Sequence, residues 1–425
     1  MDFYFPDSQD QIDPSFDFVT EQRSELRIRQ RDDRYPHEWL DEPPYQGMLV
    51  SKAMVDGIDG GAGRYSAQQR QRLYRVGIRE FFRLTGEHAR IRTLGDCGAF
   101  SYVRQEEPPY TVDDVIDFYE ATGVDAGISL DHVILGFSLQ DTLDDDTLRS
   151  EWKRRQALTL ERADEFLRRS AARGCRFEPV GVAQGWSPDS YAASVTALQQ
   201  IGYERICVGG LVAQKTPEIL AVLHEVERVR WPRTSLHLLG VTRCESIPKF
   251  ARLGVASFDS TSPFRQAFKD GKDNYHAPDG RHWVALRVPQ VDANLRLQRR
   301  IAAGAVDYAQ ARELERRTLD ALNRFDRDEA SVEEVLEALR AYGELNEEKA
   351  SRLASYAEVL KARPWQDCRC AVCREAGIHA IVFRGSERNK RRGFHNLYVF
   401  EQRFASVLRS DASRSPADDA VPCAA

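Results

Sequence analysis

Residues 90–100 read RIRTLGDCGAF and residues 255–265 read VASFDSTSPFR. Each is a strand-length run of mostly apolar and β-branched residues that ends on an aspartate, Asp96 and Asp259, followed by small residues. Working outward, similar runs recur as MLVSKAMV (Met48–Val55), DAGISLDHVI (Asp125–Ile134), FEPVGVAQG (Phe177–Gly185), RICVGGLV (Arg205–Val212) and SLHLLGVT (Ser235–Thr242). Helical patterns such as EWKRRQALTLERADEFLRRSAARG and TPEILAVLHEVERV separate them. Strands alternating with helices predict a parallel sheet. Seven runs, with an eighth expected at His282–Val288 or His379–Gly385, fit an α/β fold of the (β/α)8 TIM-barrel kind better than an open sheet. No G-x-G-x-x-G follows the first run, which counts against a dinucleotide-binding fold.

The polar residues capable of chemistry fall where these runs end: Asp96, Asp131, Gln184, the Gly209-Gly210 pair and Asp259. Strand-to-helix loops are polar in any case, so one such residue means little. Five equivalent positions mean more, because the strand ends of a barrel converge on one face, where active sites are built.

The chain has 425 residues, 60 of them basic and 66 acidic, for a net charge of −6, with 42% hydrophobic residues. This composition suits a globular protein and argues against a polycation that binds nucleic acid over its whole surface. No run of about 18 apolar residues appears, and the start, MDFYFPDSQDQIDPSFDF, lacks the basic and apolar regions of a signal peptide. A cytoplasmic, non-membrane protein is expected. The expected organisation is a polar extension over 1–34, a barrel over 35–308, a helical insertion over 309–363, a zinc-binding subdomain with a final helix over 364–410, and a disordered tail over 411–425. Within the insertion, Ser331 and Glu334 form a capping box, and Asn346 followed by two glutamates is read as the start of another helix.

Of eight cysteines, Cys368, Cys370 and Cys373 are crowded together, and His395 follows after 21 intervening residues. Three thiolates and an imidazole form a tetrahedral donor set suited to Zn²⁺, with no position left open, so the metal is expected to be structural. His379 is a rival fourth ligand, but it lies in an apolar run. Before His395, Arg384, Arg388, Lys390, Arg391 and Arg392 oppose only Glu387. Such a basic stretch, held by a metal site, is expected to grip nucleic-acid phosphates through Arg388, Arg391 and Arg392.

Cys-x-Cys-x₂-Cys…His after a barrel, with GDCGAF, SLDHVI, GVAQG, VGGL, LLGV and FDSTSPFR in that order, resembles the tRNA-guanine transglycosylase superfamily over roughly Leu49 to Leu408. The resemblance implies a zinc-containing TIM barrel that exchanges guanine for a 7-deazaguanine. It also implies Asp259 as covalent nucleophile, Asp96 as second catalytic carboxylate, and Asp131, Gln184, Gly209, Gly210 and Leu211 as holders of the base. Arg265 and Lys269 would contact phosphate, with Lys272 a further candidate, and Phe100, Tyr102 or Tyr110 would stack on the base. Where the transfer-RNA enzymes read about D-S-G-G-F and C-V-L-P-T-R, this chain has Asp96-Cys97-Gly98-Ala99-Phe100 and Ser260-Thr261-Ser262-Pro263-Phe264-Arg265. These forms look like the DpdA-type DNA-guanine transglycosylase branch. That branch implies double-stranded DNA as substrate, 7-cyano-7-deazaguanine as incoming base and an ATP-using partner protein. A transfer-RNA transglycosylase and a non-catalytic nucleic-acid-binding paralogue are the competing readings.

Overall fold

The computed structural model describes the chain except residues 8, 59–60, 62, 141–144, 270–272, 350 and 413–425. The chain forms two compact units, Met1–Ser8 with Tyr45–Thr261 and Ser406–Ala425, and Gln9–Pro44 with Ser262–Ala405. Nearly all of the expected disordered tail, and Lys272, lie outside the described residues.

The first unit is a closed parallel barrel of eight strands in chain order: β1 (Asp2–Pro6), β2 (Gly47–Ser51), β3 (Arg92–Asp96), β4 (Ala126–Ile128), β5 (Glu178–Ala183), β6 (Arg205–Val208), β7 (Ser235–Leu238) and β8 (Val255–Asp259). The seven runs read from the sequence are β2 to β8. The remaining strand is not at either expected place. His282–Trp283 and Leu286–Arg287, and Val382–Phe383, belong to two-stranded ladders of the second unit. The barrel closes instead through DFYFP at the start of the chain: Tyr4 pairs with Gly47 on one side and with Asp259 on the other. Phe3, Tyr4 and Phe5 are at most 2% exposed. Reading 1–34 as an extension is therefore corrected, because three consecutive aromatic residues buried on both faces outweigh the acidic residues that follow them.

Glycines set the packing at two places. A Cβ on Gly47 would lie 2.3 Å from the Tyr4 ring, and one on Gly95 or on its β4 register partner Gly127 would lie 2.4 Å from the Tyr119 ring. Tyr119 comes from the helix Val112–Thr122, which Thr111 and Asp114 cap at one end and left-handed Gly123 (φ 70°) closes at the other. Its phenol O–H donates to the Ile128 carbonyl at 2.8 Å, tying that helix to β4.

In the second unit, the helices Tyr308–Asp326, Val332–Leu345 and Ser351–Ala362 account for the predicted helical segment. Ser331 and Glu334 form the expected capping box, but Asn346 ends that helix and does not start the next. The basic stretch is helical from Gly385 onward. That helix, Gly385–Ala412, already contains His395. Among the described residues no helix is long and apolar enough to cross a membrane.

Candidate functional site

The strand ends of the barrel bring together most of the residues picked out by sequence. Asp96 ends β3, Asp259 ends β8, Gln184 directly follows β5, Gly209 follows β6, and Asp131 lies three residues beyond β4. Asp131 and Gln184 form one unit: the Gln184 amide donates to Asp131 Oδ2 at 2.7 Å, and the Cys97 thiol donates to Oδ1 at 3.2 Å. Gln184 Oε1 accepts the Ile134 N–H at 3.3 Å, so the amide is oriented from both ends. A Cβ on Gly209 would fall 2.3 Å from Gln184 Nε2, and one on Gly210 (φ 74°) would fall 2.7 Å from the Ile134 carbonyl. The glycine pair thus leaves room for the Asp131–Gln184 unit itself. Leu211 is fully buried, whereas Phe100 is 51% exposed. Tyr102 does not stack openly: it is 1% exposed, and its hydroxyl donates to Cys97 Sγ at 3.0 Å and to the Asp131 carbonyl at 3.2 Å.

Asp259 is 6% exposed and accepts two hydrogen bonds on Oδ1, from the Gly240 N–H at 3.0 Å and at His237 Nε2 at 3.2 Å. His237 is not among the strand-end residues that the sequence singles out, yet a signal exists: it is a polar residue inside an apolar strand run, SLHLL.

Among the described residues, no lysine or arginine forms an ion pair with Asp96, Asp131 or Asp259. Desolvation by the barrel walls, then the charges of Asp131 and Asp259, push the Asp96 carboxyl up to about 7, although its edge still meets solvent. Burial pushes Asp131 up to about 6 against the opposing hydrogen bonds of Cys97 and Gln184. The site therefore holds carboxyls placed to exchange protons near neutrality, as general acid–base chemistry requires.

In the second unit, Cys368, Cys370, Cys373 and His395 are all buried, with donor atoms within 4.8 Å of one another. The three Sγ atoms lie 3.4, 3.5 and 3.4 Å from His395 Nδ1. Zinc–sulfur and zinc–nitrogen bonds at a tetrahedral angle require about 3.5 Å, so the donor set fits a tetrahedral ion. His395 Nε2–H donates to the His276 carbonyl at 2.7 Å, which leaves Nδ1 as the ligand atom, and Tyr275 stacks on the ring at 3.9 Å. His379 is elsewhere, stacked on Phe18.

The arginines assigned to phosphate are a correction. Arg388, Arg391 and Arg392 are 1%, 3% and 0% exposed. Arg388 pairs with Glu21 and donates to the Phe18 carbonyl at 2.6 Å. Arg391 pairs with Glu387 at 2.8 Å and donates to the Asp13 carbonyl at 2.6 Å. Arg392 donates to the Val382 and Ala267 carbonyls at 3.1 and 2.6 Å. Their charge is consumed internally by acidic and carbonyl groups, many from the segment read as an extension, so they cannot offer themselves to a backbone phosphate. Arg265 and Lys269 keep exposed side chains.

A family model described as "Queuine tRNA-ribosyltransferase" matches residues 81–272. A protein of Salmonella montevideo named "DNA-guanine transglycosylase" is 49% identical over 411 residues, covering 96% of this chain and 97% of that protein.

Proposed function

The chain belongs to the guanine transglycosylase family, and from that premise we propose that it exchanges guanine in double-stranded DNA for a 7-deazaguanine base, of the 7-cyano-7-deazaguanine kind, through a glycosyl ester on Asp259. DNA is chosen over transfer RNA because the relative that matches almost end to end carries DNA in its name. The observation that carries the chemistry is the meeting of Asp96, Asp131, Gln184 and Asp259 at one barrel end with no neutralising cation among the described residues.

Base exchange at one anomeric carbon with retained configuration needs two inversions. The Asp259 carboxylate forms a bond to C1′ as the C1′–N9 bond breaks, and that electron pair leaves with guanine. Asp96, protonated near neutral pH, gives the departing base its proton. The same group, now a carboxylate, takes the N9 proton of the incoming base, which attacks C1′ and releases Asp259. Asp131 accepts from the N1–H and amine of a guanine-like edge, and Gln184 donates to its carbonyl oxygen. A base inside a duplex is out of reach, so the nucleotide is extruded into the barrel mouth. Arg265 and Lys269 are the cations proposed to hold phosphate, and Phe100 is the exposed aromatic residue proposed to stack. In the second unit, Cys368, Cys370, Cys373 and His395 would hold one Zn²⁺, which supplies a structural crosslink and no reaction step. An ATP-using partner protein, implied by resemblance, would act outside this chemistry.

The experiment is incorporation of labelled 7-cyano-7-deazaguanine into plasmid DNA or bulk transfer RNA, with and without lysate of the source cells. Label in DNA alone is expected; label in RNA alone would overturn the substrate.

A further inference from the structure

Beneath the strand-end carboxylates lie two side chains that the exchange scheme does not use. His237 on β7 and Ser257 on β8 are register partners, and the ladder between these strands shifts between Leu236 and His237. Such irregularities re-aim a side chain beside a site. His237 is fully buried, with Nδ1 2.8 Å from Ser257 Oγ and Nε2 3.2 Å from Asp259 Oδ1. The Tyr4 ring packs against the imidazole in a T-shaped arrangement, with centroids 5.6 Å apart. Burial holds the imidazole below its ordinary pKa, so it is neutral and carries a single N–H. The Ser257 hydroxyl can donate to Nδ1, which places that N–H on Nε2, facing the carboxylate. Gly240 N–H reaches the same oxygen at 3.0 Å. Among the described residues no donor reaches Oδ2.

We propose that Ser257 and His237 form a positioning relay for the nucleophile: together with the Gly240 amide they pin Oδ1, so that Oδ2 is the oxygen that attacks C1′. The inference rests on the reading of Asp259 as nucleophile and deepens it. In the first half-reaction an Oδ2 lone pair forms the bond to C1′ while the glycosidic electron pair departs with guanine. Oδ1 becomes the ester carbonyl oxygen and keeps both N–H donors. In the second half-reaction the same donors receive the charge returning to the carboxylate as it leaves. No proton crosses His237 in either direction. The relay is specific in its demand: it needs a neutral donor, because a cationic partner would hold Asp259 as an ion pair and blunt its nucleophilicity.

The test follows the covalent adduct between full-length enzyme and DNA in single turnover, its decay on adding 7-cyano-7-deazaguanine, and the KM for that base. His237→Phe is expected to slow both adduct formation and decay on the order of 10²-fold, with DNA affinity and KM unchanged, since misplacement of a reacting group by about 1 Å costs that much. His237→Gln keeps an N–H donor and is expected to recover most of the loss; Ser257→Ala, which frees the ring to turn, is expected to lose about tenfold. Wild-type adduct kinetics in folded His237→Phe, or in Ser257→Ala should the phenylalanine variant not fold, would overturn the relay. So would a His237→Gln variant as slow as His237→Phe. An adduct that survives Asp259→Asn, or that maps to the Asp96 peptide, is a different failure: it removes the nucleophile reading itself.

Discussion

The carboxylates at the barrel end and the basic run of residues 384–392 are both clusters of like charge, and the fold treats them in opposite ways. Asp96, Asp131 and Asp259 receive hydrogen bonds from neutral donors, but among the described residues no lysine or arginine pairs with them. Arg384, Arg388 and Arg391 each meet a carboxylate, from Glu21, Glu315 or Glu387, while Arg392 and Lys390 are held by backbone carbonyls. Aromatic rings complete the second cluster: Phe18 lies 5.0 Å from the Arg391 guanidinium, and Phe16 5.9 Å from that of Arg388. An uncompensated cluster keeps protons in play near neutral pH; a compensated one holds chain segments in place. Charge density along the sequence does not distinguish the two. The presence of partners in space does.

The largest effect expected is at Asp259. Asp259→Asn preserves size and polarity but removes the attacking carboxylate, so exchange should fall by roughly 10⁴-fold or more while DNA binding survives. Single-turnover assays with a filter-binding control check this.

The compensated cluster should break through stability. Arg388→Met removes one of the two buried guanidiniums that hold Glu21, leaving Arg384, and is expected to cost about 1.5–3 kcal/mol in urea denaturation. Pairing it with Glu21→Gln should recover part of the loss, because the remaining Arg384 is then balanced by Glu315. A variant that unfolds at the wild-type midpoint would mean the cluster is not structural. Cys370→Ala should lose most of its bound zinc by metal analysis and unfold earlier, with base binding in the barrel retained.

A smaller effect follows from pH. The folded-state pKa of Asp96 is raised, to about 7 against an ordinary 3.8. Across that window the folded chain holds more protons than the unfolded one, so this group's contribution to stability is full below about pH 4 and is lost as pH rises through about 7. Asp96→Asn should flatten this slope and stabilise the protein relative to wild type above pH 7. In catalysis the same proton is the one guanine receives, so adduct formation should decline above about pH 7 in the wild type. Melting curves and single-turnover rates over pH 5–9 check both signs.

The smallest effect sharpens the comparison most directly. Arg265→Gln and Lys269→Gln should each lower the slope of log affinity for DNA against log salt by about 0.9, whereas Arg391→Gln should leave it unchanged. A reduced slope in a folded Arg391→Gln variant would return that arginine to the phosphate surface.

Much of the site is legible in the sequence. Asp96, Asp131, Gln184 and Asp259 can be placed because strand ends of a parallel barrel converge, so a one-dimensional pattern of apolar run plus polar terminus carries three-dimensional information. His237 escapes because its role depends on the neighbouring strand: nothing in SLHLL says that Ser257 and Asp259 flank the ring. Gly209 and Gly210 are legible as a turn, but their reason, room for Gln184 and the Ile134 carbonyl, is not. Cys97 and Tyr102 are visible as residues, while their joint hold on Asp131 emerges only from distances.

By itself the amino-acid sequence determined the parallel barrel through seven of its strands, a donor set that could hold a tetrahedral metal and the carboxylates that gather at the strand ends, since periodicity and close spacing are local properties of the chain. Tertiary structure alone decided the rest. It closed the barrel with Asp2–Pro6, five residues whose partners β2 and β8 lie some 40 and 250 positions away. It turned a basic stretch inward onto groups more than 360 positions earlier, the Glu21 carboxylate and the Asp13 carbonyl. Strand closure and the pairing of Arg384 and Arg388 with Glu21 join residues far apart in sequence, and no window along the chain contains both members of such a pair.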